Sequence, residues 1–239
     1  MKNNGLVAII GAMDCEIELL NKVLDNTEKI EAGRFSILKG QIGKHAVVVA
    51  KSGVGKVCSA SCTQFLADRF SPSCIINTGI AGGLASDLNV GDVVIATDLV
   101  QHDFDATALG YAKGYVCNGI QSSKPTIFYS DEELVNAFEK EAVNLLGKDR
   151  VHKGRIASGD MFVGNAEKKQ EIIELFNASA AEMEGAAIAH SAYLNHIPFV
   201  IVRAISDLAD GTAASSLEEF EYKSAQISAK IIKTLFEKI

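Results

Sequence analysis

The chain predicts an α/β fold, a three-layer αβα sandwich around a twisted mixed sheet. Three observations carry this. Continuous apolar runs such as Leu6 to Ile10, Cys74 to Ile80 and Phe199 to Ser206 have the length and branching of strands buried on both faces. Segments with helical spacing alternate with them, as the crossovers of such a sheet require. Between Lys29 and Ala50, short alternating pieces separated by Gly33, Gly40 and Gly43 suggest antiparallel strands.

Taken in order, Leu6 to Ile10 is a central strand closed by Gly11, and Ile17, Leu20 and Leu24 then share one face of a helix. Phe35 to Leu38 and Ala46 to Val49 are the alternating strands, and Val57 to Phe70 is helical in pattern. Cys74 to Ile80 and Asp92 to Leu99 are strands joined by a glycine-rich connection through Gly82, Gly83 and Gly91. Val100 to Ser130 has weak periodicity and reads as loops with room for one strand. Asp131 is placed to cap a helix reaching about Leu146, with Glu132 and Glu133 favoured in its first turn by the helix dipole. Val151 to Ala157 is a strand, Glu167 to Phe176 a helix, Ala178 to Met183 a short strand, Ala186 to Asn195 an Ala-rich helix and Leu217 to Lys238 a terminal helix. No repeat, linker or low-complexity stretch interrupts the chain, so one domain over residues 1–239 is expected.

Composition narrows the function classes. A net charge of −7 argues against nucleic acid or an anionic membrane, either of which asks for a basic face. No segment approaches a membrane span, and the N-terminus lacks a basic region followed by a long apolar run. Cys15, Cys58, Cys62, Cys74 and Cys117 are odd in number and form no C-x-x-C pair, so a disulfide framework or a zinc site is not suggested and a cytoplasmic location is expected.

Several segments carry candidate chemistry. In GAMDCE, Gly11 to Glu16, an acidic pair follows a strand exit, where ligands collect in open α/β sheets. By itself the pair reads as solvated first-turn carboxylates. SGVGK, Ser52 to Lys56, lacks the Gly and the Ser or Thr of a Walker loop, since Ala50 and Val57 stand there, and Cys58 breaks a dinucleotide fingerprint. It is a tight turn. NTGIAGG, Asn77 to Gly83, would let backbone approach a ligand closely. HDFDATALGY, His102 to Tyr111, offers His102, Asp103 and Asp105 to a metal, but without a second ligand cluster loop hydrogen bonds are the better reading. ASGDMFV, Ala157 to Val163, ends in Phe162, which is core by default but can stack on a flat ring. AAEMEGAAIAH, Ala180 to His190, sets Glu182 and Glu184 at a helix start. In VRAISDLAD, Val202 to Asp210, strand alternation puts Arg203, Ile205 and Asp207 on one face, bringing a guanidinium and a carboxylate together, with a structural ion pair as probable as a functional one.

In this order and spacing, GAMDCE, SGVGKV, NTGIAGG, HDFDATALGY, ASGDMFV, AEMEGAAIAH and VRAISDLAD resemble the 5′-methylthioadenosine/S-adenosylhomocysteine nucleosidase family of the nucleoside phosphorylase/hydrolase superfamily. The resemblance runs from Gly5 to about Phe220. It implies a nucleoside phosphorylase-like domain that works as a homodimer without cofactor or metal, cleaves the N-glycosidic bond of both nucleosides and serves methionine salvage. Asp207 matches the family's general acid at adenine N7, Glu16 the carboxylate that activates water, and Arg203 the residue that helps orient it. Glu184 matches the acceptor for the ribose 2′ and 3′ hydroxyls, with Met183 beside the sugar. Phe162 matches the purine-stacking aromatic, and the Val163 backbone the reader of its edge. Val54, with Ala106 and Leu109 of the partner subunit, matches the 5′-alkylthio pocket. Ile80, Ala81, Gly82, Glu182, Ser206 and Leu217 complete the expected lining, Glu182 more as support than as contact.

The chemistry agrees independently. Cleaving an N-ribosyl bond builds positive charge on the sugar while electrons flow into the base, so carboxylates at the sugar and an acid at the base stabilise one transition state. Leu109 and Leu217 stand where family members often carry aromatics, and Ile80 where some have Ser. The 5′ pocket is therefore more aliphatic, which leaves the ranking of methylthioadenosine, S-adenosylhomocysteine, 5′-deoxyadenosine and aminodeoxyfutalosine open. A phosphorylase would recruit several arginines to phosphate, but of Arg34, Arg69, Arg150, Arg155 and Arg203 only the last lies in a motif. A non-catalytic nucleoside-binding protein would not need both an acid and a base.

Overall fold

The computed structural model describes residues 5–116, 122–211 and 217–238, with the side chains of 217–221 and 238 outside the described set, as is Cys117. Its strands are β1 (Val7–Gly11), β2 (Asp25–Ile30), β3 (Ser36–Ile42), β4 (His45–Lys51), β5 (Cys74–Gly83), β6 (Val93–Gln101), β7 (Phe128–Tyr129), β8 (Val151–Ser158), β9 (Ala180–Glu182) and β10 (Phe199–Asp207). Its helices are α1 (Asp14–Lys22), α2 (Lys56–Phe70), α3 (Glu132–Leu146), α4 (Ala166–Phe176), α5 (Gly185–Leu194) and α6 (Leu217–Lys238). Asp131 caps α3 as its sequence position predicts, its carboxylate accepting from the Leu134 amide at 3.0 Å.

β1 and β10 are buried along their whole length, which explains their unbroken apolar runs. Around them the sheet is mixed: β1 runs parallel to β4 and β5, while β2, β3 and β4 form an antiparallel extension. Helices α1, α3 and α6 bury their apolar faces on one side, including Leu20, Phe138 and Ile232. α2 and α5 cover the other, through Leu66 and Ile188. These are the three layers. Among the described residues, no helix is long and apolar enough to cross a membrane.

Two features position the site. β5 pairs with β1 only as far as Asn77, then with β9 from Gly82, so the sheet forks along this strand. Through β10, β6, β8 and β9 the fork closes into a ring of strands. β10 runs parallel to β5 and the other three run opposite to it, so Gly82 and Gly83 at the end of β5 meet Ala181 and Ala180 at the start of β9. The glycine-rich segment, expected to be a connection, is therefore strand through Gly83. Its glycines make room for side chains. A Cβ on Gly79 would lie 2.5 Å from a Glu16 carboxylate oxygen, and one on Gly82 3.1 Å from Asp207.

Candidate active site

A cavity of about 130 Å³ opens where β5 leaves β1. Its wall contains Glu16, Val54, Ile80, Ala81, Gly82, Phe162, Glu182, Met183, Glu184, Ser206 and Asp207 from the sequence prediction. Ala12, Met13 and Ala181 join them; all three lie inside the GAMDCE and AAEMEGAAIAH motifs but, being small or apolar, carry no chemistry that singles them out there. A smaller cavity beside it is walled by Met161, Phe162 and Val163. Leu109 lies on an exposed single turn, and neither it nor Ala106 borders this chain's own cavity. Leu217 opens α6, its side chain outside the described residues.

Glu16 is in the first turn of α1, yet its side chain bends back towards β5. One oxygen accepts from the Ala12 and Met13 amides at 2.6 and 3.0 Å, the other from the Ile80 amide at 3.2 Å. It is 3% exposed, and burial raises its pKa above the ordinary carboxylate range, against the pull of Arg203 and these amides. The other acid of the motif, Asp14, instead pairs with Lys51 at the surface at 2.8 Å. The bland reading fits Asp14 and fails for Glu16.

Asp207 ends β10. Its Oδ2 accepts from the Ser206 hydroxyl at 2.9 Å and its Oδ1 from the Ala209 amide at 2.8 Å. Among the described residues Asp207 does not meet Arg203, with which strand alternation set it on one face, so the structural ion pair left open between them is not formed. The β10 to β5 register slips between Ile205 and Asp207, which breaks the alternation that put the two on one face. Arg203, 1% exposed, instead donates to Glu182 Oε2 and Asn77 Oδ1, each at 2.5 Å. The ion pair is real, but its carboxylate is Glu182. The guanidinium lies behind the cavity wall, close to Glu16, where Gly79 leaves space for both.

Glu182 borders the cavity but its oxygens are taken. They accept from the Ser158 hydroxyl, from the Glu184 and Gly185 amides at 3.2 and 2.8 Å, and from Arg203. Among the described residues the Glu184 carboxylate has one hydrogen-bond partner, the Gly55 amide at 2.8 Å from its Oε1. Its pKa is pushed up to about 8, by burial first and then by Glu182. Glu184 thus presents an almost free, desolvated carboxyl to the cavity. Phe162, 56% exposed, borders the cavity as a partly open aromatic face.

Of the HDFD segment, the two aspartates make the expected loop hydrogen bonds, Asp105 accepting from Thr107 and Asp103 from Lys56 and the Asp160 amide, whereas buried His102 does not: among the described residues neither of its ring nitrogens has a hydrogen-bond partner. Among the described residues, no group of three or more His, Cys, Asp or Glu is arranged to hold a metal ion.

Residues 6–237 match the model of the phosphorylase superfamily. The chain is 40% identical over 238 residues to 5′-methylthioadenosine/S-adenosylhomocysteine nucleosidase of Staphylococcus aureus, covering 98% of this chain and 100% of that one. It is similar, at a TM-score of 0.91 and 42% identity, to the nucleosidase of the same name from Neisseria meningitidis solved with methylthio-immucillin-A, covering 98% and 100% of the two chains. It is also similar to futalosine hydrolase of Helicobacter pylori, at a TM-score of 0.89 and 35% identity over 98% of each chain.

Proposed function

This chain belongs to the phosphorylase superfamily and, within it, to the 5′-methylthioadenosine/S-adenosylhomocysteine nucleosidases, and from that premise we propose how its site works. The reaction is hydrolysis of the N-glycosidic bond of the two nucleosides, with release of adenine.

Asp207 gives its proton to N7 of the adenine, so that the base leaves neutral. Glu16 takes a proton from the water that attacks C1′, and its raised pKa makes it a better base than an ordinary carboxylate. Arg203, held by Glu182 behind the wall, offsets the negative charge that Glu16 and Glu184 crowd into one site and helps orient the water. Glu184 accepts from the ribose hydroxyls beside Met183, and Phe162 stacks on the purine, whose edge reaches the Val163 backbone. Val54 and Ile80 line the 5′ side.

One observation carries this reading: Glu16, Glu184 and Asp207, from three distant parts of the chain, border the same cavity, and among the described residues no Lys or Arg is in its wall to hold phosphate. We expect adenine release from methylthioadenosine without ribose 1-phosphate in phosphate buffer. Asp207→Asn should lose about 10³-fold in kcat while still binding the nucleoside. Ribose 1-phosphate as product would make the chain a phosphorylase, and a near-normal Asp207→Asn would remove the acid assignment. Similarity to a futalosine hydrolase keeps aminodeoxyfutalosine in the substrate panel, with S-adenosylhomocysteine and 5′-deoxyadenosine.

The protein works as a single domain and a cytoplasmic homodimer serving methionine salvage. Support for the dimer comes from exposed apolar side chains on neighbouring α2 and α5, Val57, Tyr193 and Leu194, and from Leu109 on the loop that would close the partner's 5′ pocket. Cys58, Cys62 and Cys74, which are in no disulfide, fit a reducing compartment. Sedimentation at micromolar concentration tests the dimer.

A further inference from the structure

The turn that supplies the Gly55 amide to Glu184 is fastened from outside the cavity. Lys56 Nζ donates to Asp103 Oδ1 at 2.6 Å, the other oxygen of Asp103 accepts from the Asp160 amide at 2.8 Å, and Asp160 Oδ1 accepts from the Lys56 amide at 2.7 Å. Three residues thus close a ring of hydrogen bonds joining the segments that follow β4, β6 and β8. We propose that Asp103 and Asp160 are positioning residues for the sugar site, the ring they form with Lys56 holding the Gly55 amide against Glu184. This rests on the sugar-binding role assigned to Glu184 above.

The geometry is specific. Gly55 has φ +95°, a conformation that side-chain-bearing residues rarely adopt, and a Cβ there would meet Asp160 Oδ1 at 3.0 Å. Such a turn needs external fixing to aim one amide at a buried carboxylate. The Lys56 and Asp103 side chains are only 17% and 24% exposed, so their pairing is less screened than a surface contact. Burial disfavours the ionised Asp103, yet the bonds from Lys56 and the Asp160 amide hold its pKa below the ordinary range. Asp160 also lies two residues before Phe162, so the same ring anchors the loop that carries the stacking aromatic.

Two measurements test this: KM and kcat for methylthioadenosine, and amide hydrogen exchange at Gly55 in the ligand-free protein. Asp160→Ala should raise KM about tenfold with a smaller loss of kcat, and speed Gly55 exchange about tenfold, values typical of one lost hydrogen bond to a charged group. Asp160→Asn keeps an oxygen for the Lys56 amide and should stay within about twofold of wild type. Asp103→Asn offers one acceptor to two donors and should fall between; it also serves if Asp160→Ala does not fold. Combining Asp103→Ala with Asp160→Ala should cost no more than the worse single change, because both open one ring. Unchanged KM and unchanged Gly55 exchange in Asp160→Ala would overturn the proposal, as would an Asp160→Asn no better than Asp160→Ala. If the wild-type protein released no adenine, the functional reading would fall, while exchange at Gly55 would still decide the ring.

Discussion

Glu182 and Glu184 stand two residues apart, are almost equally buried and border one cavity, yet the molecule uses them in opposite ways. Glu182 is saturated by Ser158, Arg203 and the first amides of α5. Among the described residues Glu184 has a single amide partner, and its pKa is pushed up to about 8. In a buried site, a carboxylate with every acceptor occupied holds the protein together, whereas one kept short of partners is available to a ligand. The difference in commitment, rather than in burial, separates support from function.

The sharpest way to break this comparison is to remove each carboxylate in turn. Glu182→Ala leaves Arg203 buried without its hydrogen-bonded ion-pair partner and should cost about 3–5 kcal/mol of unfolding free energy, read from urea denaturation. A variant as stable as wild type would erase the distinction. Glu184→Gln should leave stability unchanged or raised, since the native state no longer has to hold a proton that the unfolded chain releases, but lower kcat/KM for methylthioadenosine about 100-fold through weakened bonds to the ribose hydroxyls proposed above. Next in size is the pH response. With Glu184 raised from 4.5 to about 8, the native state keeps a proton that the unfolded chain has already released. Stability of the ligand-free protein should therefore fall as pH rises through this window, by up to about 1.4 kcal/mol per pH unit, and Glu184→Gln should flatten the slope. Glu16, also raised by burial, keeps part of it. The smallest effect is at Ser158→Ala, which takes one donor from a carboxylate that retains several and leaves the buried Ala186 amide without its acceptor, and should cost about 2 kcal/mol by the same denaturation measurement.

Much of the fold was legible because local pattern and burial agree. The apolar runs became β1, β5 and β10, and Asp131 capped α3, since each depends on neighbours in sequence. Closure of the strand ring was not legible, because it depends on which distant strands pair. The register slip before Asp207 was hidden for the same reason, and it parted Arg203 from the acid it was expected to face. In the site, the motifs marked which side chains gather round the cavity. They could not mark which donors those side chains meet: Ser158 and Arg203 lie 24 and 21 residues from Glu182, and Gly55 lies 129 from Glu184.

The fork in β5 has a metric consequence. Glu16 is tied to the Ile80 amide and Asp207 packs on Gly82, two positions along one extended strand. A strand advances about 3.3 Å per residue, so its pitch sets a rung spacing of roughly 6.6 Å between the anchor points of the proposed water-activating and proton-donating ends. β5 then works as a ruler for the part every substrate shares, from the anomeric carbon to the purine. Variation among substrates is left to the 5′ end, beyond the ruler's marks.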